Sequence, residues 1–132
     1  MADRVTLSIP HASPFHGVAR LVVGGLAARL DLSYEHLEDL QLALHTVLTR
    51  DGYVAGDEVT VHLDVEDGLV DMAVEPLDGP RLRADLERET EQGIPLARLL
   101  SGLVDEVEVE DGGSGPARLR FRKRIPRARE GA

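Results

Sequence analysis

Residues 59–74 read VTVHLDVEDGLVDMAV. Val59, Val61, Leu63 and Val65 alternate with Thr60, His62, Asp64 and Glu66, the period of a strand that buries one face and wets the other. Asp67-Gly68 is a two-residue turn signal, so residues 69–74 form the returning strand of a hairpin. A second hairpin lies near the end of the chain. Val107 and Val109 alternate with Glu106, Glu108 and Glu110, Asp111-Gly112-Gly113 supplies the turn, and Leu119 and Phe121 then alternate with Arg118, Arg120 and Arg122. The acidic face of one strand stands opposite the basic face of the other, and each such cross-strand pair contributes about 0.2–1 kcal/mol.

Outward from the hairpins the period changes. Residues 4–9 (RVTLSI) alternate as a first strand that Pro10 closes. Val18, Leu21, Val22, Leu26 and Leu30 recur at three- to four-residue spacing, which predicts a helix over about 14–30 with Pro14 in its first turn. Gly24-Gly25 interrupts it at roughly 1 kcal/mol per glycine relative to alanine, and predicts a close approach by another backbone. Ser33 is placed to cap a second helix, marked by Leu37, Leu40, Leu44, Val47 and Leu48 and ending near Arg50. Residues 76–92 are polar and punctuated by Pro76 and Pro80, and read as a lid-like segment with one short helix around 82–89. Residues 94–104 make a third helix with Pro95 in its first turn. This order predicts an α/β two-layer sandwich, a mixed β-sheet with helices packed on one face. One domain over 1–125 and a basic tail over 126–132 complete the organisation.

The 132 residues suffice for one core, and with 3% aromatics and no tryptophan that core is aliphatic. There is no cysteine, which excludes disulfides and thiolate metal sites. No apolar run approaches the ~18 residues of a membrane span, and Met1-Ala2-Asp3-Arg4 lacks the apolar stretch of a secretory signal. A soluble, cytoplasmic protein is expected. The net charge of −9 is unevenly spread, with seven of the fifteen basic residues between Arg118 and Arg129. The acidic remainder disfavours direct contact with nucleic acid and suits solubility or a basic protein partner. Once the hairpin has taken its three arginines, Lys123, Arg124, Arg127 and Arg129 are left as a basic tail.

Residues 18–30 (VARLVVGGLAARL), the Glu38-Asp39-Leu40 run and Leu103-Val104-Asp105-Glu106-Val107 together resemble the anti-sigma-factor serine kinases of the GHKL (histidine kinase-like) ATPase superfamily, over about residues 5–125. The resemblance implies a Bergerat-type fold and a homodimer. It implies a protein partner, a sigma factor or an anti-sigma-factor antagonist, with no direct nucleic acid and no membrane. Arg20 matches a position with which the related kinases touch their sigma factor.

The same resemblance implies three nucleotide boxes, and each departs from the pattern here. In the related kinases a Glu on the second helix acts as base and an Asn four residues later helps hold Mg²⁺; the matching positions are Thr46 and Arg50. A threonine hydroxyl is too weak a base, and a guanidinium has no acceptor atom for a metal. The aspartate that reads adenine falls at Pro76, or after a two-residue slip at Asp78-Gly79, with Pro80 and Leu82 in place of the following glycines. The G-x-G stretch before the third helix keeps Gly93, while Pro95 removes a backbone donor from the phosphate end.

Three readings stay open. One is a regulatory protein-binding module of the anti-sigma type, non-catalytic and without cofactor, using the first helix, Arg20 and segment 76–92 as its partner surface. Another is a serine kinase that gathers ATP and Mg²⁺ around Thr46, Arg50, Asp78, Gly79 and Gly93. The third is a structural subunit that uses the fold for dimerisation. Blander roles compete for the same residues: Arg50 as a helix-end cation, Arg20 as a solvated charge. The five histidines read as surface or core residues, with no metal site expected and with His45 a candidate pocket wall beside Thr46.

Overall fold

A computed structural model of the chain describes residues 3–29, 33–49, 54–66, 68–87, 96–111 and 116–125. Its elements are β1 (Asp3–Pro10), α1 (Ser13–Arg29), α2 (Tyr34–Thr49), β2 (Glu58–Glu66), β3 (Leu69–Leu77), α3 (Gly79–Glu87), α4 (Leu96–Ser101), β4 (Glu106–Asp111) and β5 (Ala117–Arg124). The strands form one sheet in the order β1-β2-β3-β5-β4.

The alternation read in the sequence divides this sheet into an apolar face and a charged one. Val59, Val61, Leu63 and Val65 of β2, Val70, Met72 and Val74 of β3, and Leu119 and Phe121 of β5 are buried in one cluster with the helices. From the helical layer come Ala19 and Val23 of α1, Leu40, Ala43, Leu44, Val47 and Leu48 of α2, and Leu100 of α4. Two layers over an aliphatic core are as expected. Every pairing in the sheet is antiparallel, however, where a mixed sheet was expected. Two helices in succession return the chain to the end of the sheet where β1 stopped, so Pro10 faces Glu58. The closing hairpin then inserts β5 between β3 and β4, the two strands that run the same way, and they never pair.

The inward stripe of α1 lies one position away from the one expected. Ala19 and Val23 are buried and Val22 and Leu26 pack partly against the core, whereas Leu21 is 76% exposed and Val18 also faces outward. Alanine is too small to stand out in an apolar periodicity, so the heavier Val18 and Leu21 misplace the stripe. The glycine pair also acts differently. A Cβ on Gly24 would lie 3.4 Å from Gln41 Nε2, while Gly25 has open space beside it. Gln41 Nε2 donates to the Arg20 carbonyl at 3.0 Å. The neighbour that Gly24 admits is therefore a side-chain amide from α2, not a backbone.

Ser33 caps α2 as expected: the His36 N–H donates to Ser33 Oγ at 3.2 Å, satisfying one of the helix's orphan donors. The lid-like segment is more regular than expected. β3 continues through Pro76 to Leu77, with a register shift between Val74 and Leu77, and α3 follows almost at once. Gly93, Pro95 and the tail 126–132 lie outside the described residues, as do Leu30 and Arg50.

Lys123 is not part of a tail. It alternates with Arg122 and Arg124, so its side chain enters the helical side of the sheet and is buried. There Nζ donates to Asp39 Oδ2 of α2 at 3.1 Å and to the Leu103 carbonyl, just past α4, at 2.7 Å. One ammonium thereby ties β5 to α2 and to the turn after α4. Removing its counter-charge by Asp39→Ala is expected to cost about 2 kcal/mol, less than for a fully buried pair because Asp39 keeps some water. Adding Lys123→Met should restore most of that loss, since an apolar pair of similar volume no longer needs a partner. Urea unfolding of the two variants measures both effects, and an unchanged Asp39→Ala midpoint would refute this anchoring role.

Candidate functional site

Three of the five positions matched to nucleotide binding are described, and two of them, Thr46 and Asp78, make local bonds. Thr46 is half-buried on α2, and its hydroxyl donates to the Leu42 carbonyl one turn back, at 2.7 Å. Such back-bonding is what a threonine does when its helix is left to itself. Asp78 and Gly79 sit at the junction of β3 and α3. Asp78 Oδ1 accepts the Arg81 N–H at 3.1 Å and its carbonyl accepts the Leu82 N–H at 2.9 Å. Asp78 is thus the N-cap of α3, with its carboxylate turned to the helix's own donors. The Pro76 carbonyl accepts the Ala55 N–H at 3.0 Å. Arg50 and Gly93 lie outside the described residues.

Arg20 occupies a different part of the molecule. It is exposed on α1 and shares a cleft of about 490 Å³ with Tyr34, Glu38, Asp39, Leu42 and His45 of α2. A neighbouring hollow of about 370 Å³ runs past Gly17, Leu21, Gly24 and Gly25, and Arg20 and Gln41 border both. Leu21, Tyr34 and Leu42, which line these hollows, are exposed large apolar side chains, as are Phe15 and Val18 of α1. His45 therefore walls the Arg20 cleft and not a pocket shared with Thr46, because one residue along a helix turns about 100°. Among the described residues, no group of three or more histidines and carboxylates could hold a metal ion.

The sheet's open face carries the charge. Glu106 faces Arg122, Glu108 faces Arg120 and Glu110 faces Arg118, the acidic-against-basic pairing expected of the last hairpin. Beyond the pairing within the hairpin, the arginines also reach the central strand. Arg122 Nε lies 3.1 Å from Asp71 Oδ2, and Arg120 Nη1 lies 3.4 Å from the same oxygen. Glu75 is bound from two sides, by Arg118 Nη2 and by His62 Nε2 at 2.6 Å. An ionised carboxylate only accepts, so Nε2 of that imidazole is the donor. The signal was present in the alternation of Asp71, Ala73 and Glu75 on β3, but only strand order shows that β5 lies beside it.

No protein-family model matches the chain. Individual proteins do. Over 143 aligned positions the chain is 32% identical to serine-protein kinase RsbW of Halalkalibacterium halodurans, covering 92% of this chain and 85% of that protein. The chain belongs to the RsbW family. It is also 28% identical over 127 positions to serine-protein kinase RsbW of Bacillus pumilus, covering 82% and 78% of the two chains. The fold is that of a solved structure of the RsbU and RsbW domains of a Mycobacterium tuberculosis protein, with a TM-score of 0.68 at 15% identity. That match covers 93% of this chain and 32% of the longer one.

In this RsbW-family chain the Glu75 cluster links charge to stability. Burial raises the Glu75 carboxyl, but the hydrogen bonds and charges of His62 and Arg118 outweigh it and hold the group below its usual range. A carboxyl lowered in the folded state contributes stability that is present above the ordinary carboxylate range and is lost as pH falls through the lowered value. Glu75→Gln is therefore expected to flatten the acid limb of the melting temperature below about pH 5. Scanning calorimetry from pH 7 to pH 3 checks this, and an acid limb as steep as in the wild type would contradict it.

Proposed function

We propose that this chain is a regulatory protein-binding module of the anti-sigma, partner-switching type, one that neither binds ATP nor transfers phosphate. The observation that carries the reading is the Thr46 hydroxyl, which donates to Leu42 within its own helix. That position in the related kinases calls for a carboxylate base, and a threonine hydroxyl cannot take a proton near neutral pH. The donor set does not fit a metal–nucleotide complex either. Arg50 stands where an acceptor for Mg²⁺ is needed, and a fixed cation repels a divalent one at contact distance. Asp78, the remaining carboxylate of the adenine box, is engaged in capping α3.

The opposing reading is a working serine kinase with unusual residues. It is favoured by the names of the relatives, which are serine-protein kinases. Incubation with labelled ATP, Mg²⁺ and candidate antagonist proteins separates the two, and no phosphoserine is expected. Phosphorylation that disappears in Thr46→Ala or Arg50→Ala would establish the kinase reading instead.

The partner surface in this proposal is the outer side of α1 around Arg20. An exposed guanidinium with the exposed Leu21 next to it offers both a charge and a greasy contact, a combination common at recognition surfaces. The partner is a sigma factor or an anti-sigma-factor antagonist, and the protein acts as a homodimer. Arg20→Glu should weaken that binding at least tenfold, about 1.4 kcal/mol, in a titration calorimeter. Sedimentation of the same samples should give twice the 14.4 kDa chain mass. An unchanged affinity would remove Arg20 from the surface, and a monomer mass would remove the dimer.

A further inference from the structure

We propose that His16, set beside His11 and His45, is a proton-sensitive latch, which holds the start of α1 on α2 while neutral and releases it when protonated. The three rings come from three parts of the chain: the turn after β1, the first turn of α1, and the last turns of α2. The rings of His11 and His16 lie 5.4 Å apart, tilted by 32°. His11 Nε2 lies 3.2 Å from the Leu48 carbonyl oxygen of α2. A carbonyl accepts, so Nε2 carries the proton and ties the β1–α1 turn to the α2 backbone.

The other two rings give the latch its sensitivity. His16 Nε2 and His45 Nδ1 are both shut off from solvent, and neither has a hydrogen-bond partner among the described residues. A neutral imidazole can leave one nitrogen bare at modest cost. A protonated one carries two N–H donors and a charge, and an unpaired buried charge is far more expensive. His16 also stands in the first turn of a helix, where the backbone dipole opposes a cation. Burial, with the neighbouring His11 and His45, holds His16 below the ordinary imidazole range.

The surrounding charges do not cancel this. On α1, Arg20 is one turn further along and is itself a cation. On α2, Glu38 and Asp39 line the cleft beyond His45, with Tyr34 at its far end. At the start of β2, Asp57 accepts the His11 N–H through its backbone carbonyl and Glu58 stands opposite Pro10, both with exposed side chains. Among the described residues none of the three histidines is paired with a carboxylate; the imidazole that is so paired, His62, is on the far side of the sheet.

The sign follows from the lowered value. A base harder to protonate folded than unfolded leaves stability intact above the ordinary imidazole range, and that stability is lost as pH falls through the lowered value. Because the strain is confined to one corner, the response is local opening of α1 before global unfolding. His45 walls the cleft that holds Arg20, so the same protonation reshapes that cleft. The latch is a property of the fold and stands whether or not Arg20 binds a partner.

The test is an NMR titration of the histidine rings in the full chain from pH 8 to pH 5, with amide exchange followed in parallel. His16 should take its proton below the ordinary range. Over the same interval, protection at residues 16–22, corrected for intrinsic exchange, should fall about tenfold relative to residues 70–74. His16→Gln should abolish that fall and His62→Gln should keep it. Constant protection in the wild type, or a fall that persists in His16→Gln, would overturn the proposal. So would stabilisation of the wild type by zinc at pH 7 that His16→Gln removes, which would assign the cluster to a metal. Should His16→Gln not fold, the wild-type curves decide alone: opening that does not track the His16 titration refutes the latch.

Discussion

Asp64 of β2 and Asp71 of β3 face each other across the middle of the sheet. Two carboxylates directly opposite repel, so this arrangement stands only if each is drawn away by a cation on its other side. Arg4 of β1 takes Asp64 at 2.7 Å, and Arg120 and Arg122 of β5 take Asp71. Arg122 also reaches Glu106 and Arg120 reaches Glu110, both on β4. A line of charges, alternating in sign except where Asp64 meets Asp71, therefore crosses all five strands. Slipping any strand by one residue would send its charges into the core and its valines into water. Each pair alone is worth little at this exposure. Together they specify which strand lies beside which, and in what register.

The opposite face depends on shape more than on charge. Helices α1 and α2 bury small and aliphatic residues against the valine rows of β2 and β3, and an interior so packed is sensitive to single methylenes. Lys123 is the exception within that layer. It adds direction, because its ammonium has to find Asp39 and the Leu103 carbonyl at once. A buried ion pair contributes less to net stability than to choosing one arrangement of α2 and α4 over β5.

Much of this was legible in advance, where period and chemistry agreed. Both hairpins, the Ser33 cap and the apolar rows of β2, β3 and β5 follow from alternation and capping chemistry that depend on neighbours in sequence. The misreadings share a cause: they depend on neighbours in space. Ala19 is buried because α2 and the sheet cover it, and nothing in its own size announces that. Lys123 looks like part of a basic run until strand parity sends it inward. His11, His16 and His45 are spread over 35 positions, and only the antiparallel return of α2 beside α1 brings them to one corner. The antiparallel sheet itself could not be read from element order, because order does not say that β5 would enter between β3 and β4.

The positions matched to the nucleotide boxes show how little the fold itself depends on them. A carboxylate on α2 in place of Thr46 would be an acceptor needing water, a metal or a donor to satisfy it. The hydroxyl there needs none of these, since the Leu42 carbonyl one turn back satisfies it. Asp78 is likewise complete as the cap of α3. No orphaned polar group at either place demands a ligand for the fold to be stable. The charge ladder, the Lys123 tie and the aliphatic rows stand on residues other than these. Substitution at these box positions therefore costs the fold little, while the exposed side of α1, whose Leu21 and Arg20 contribute nothing to the core, remains available to a protein partner.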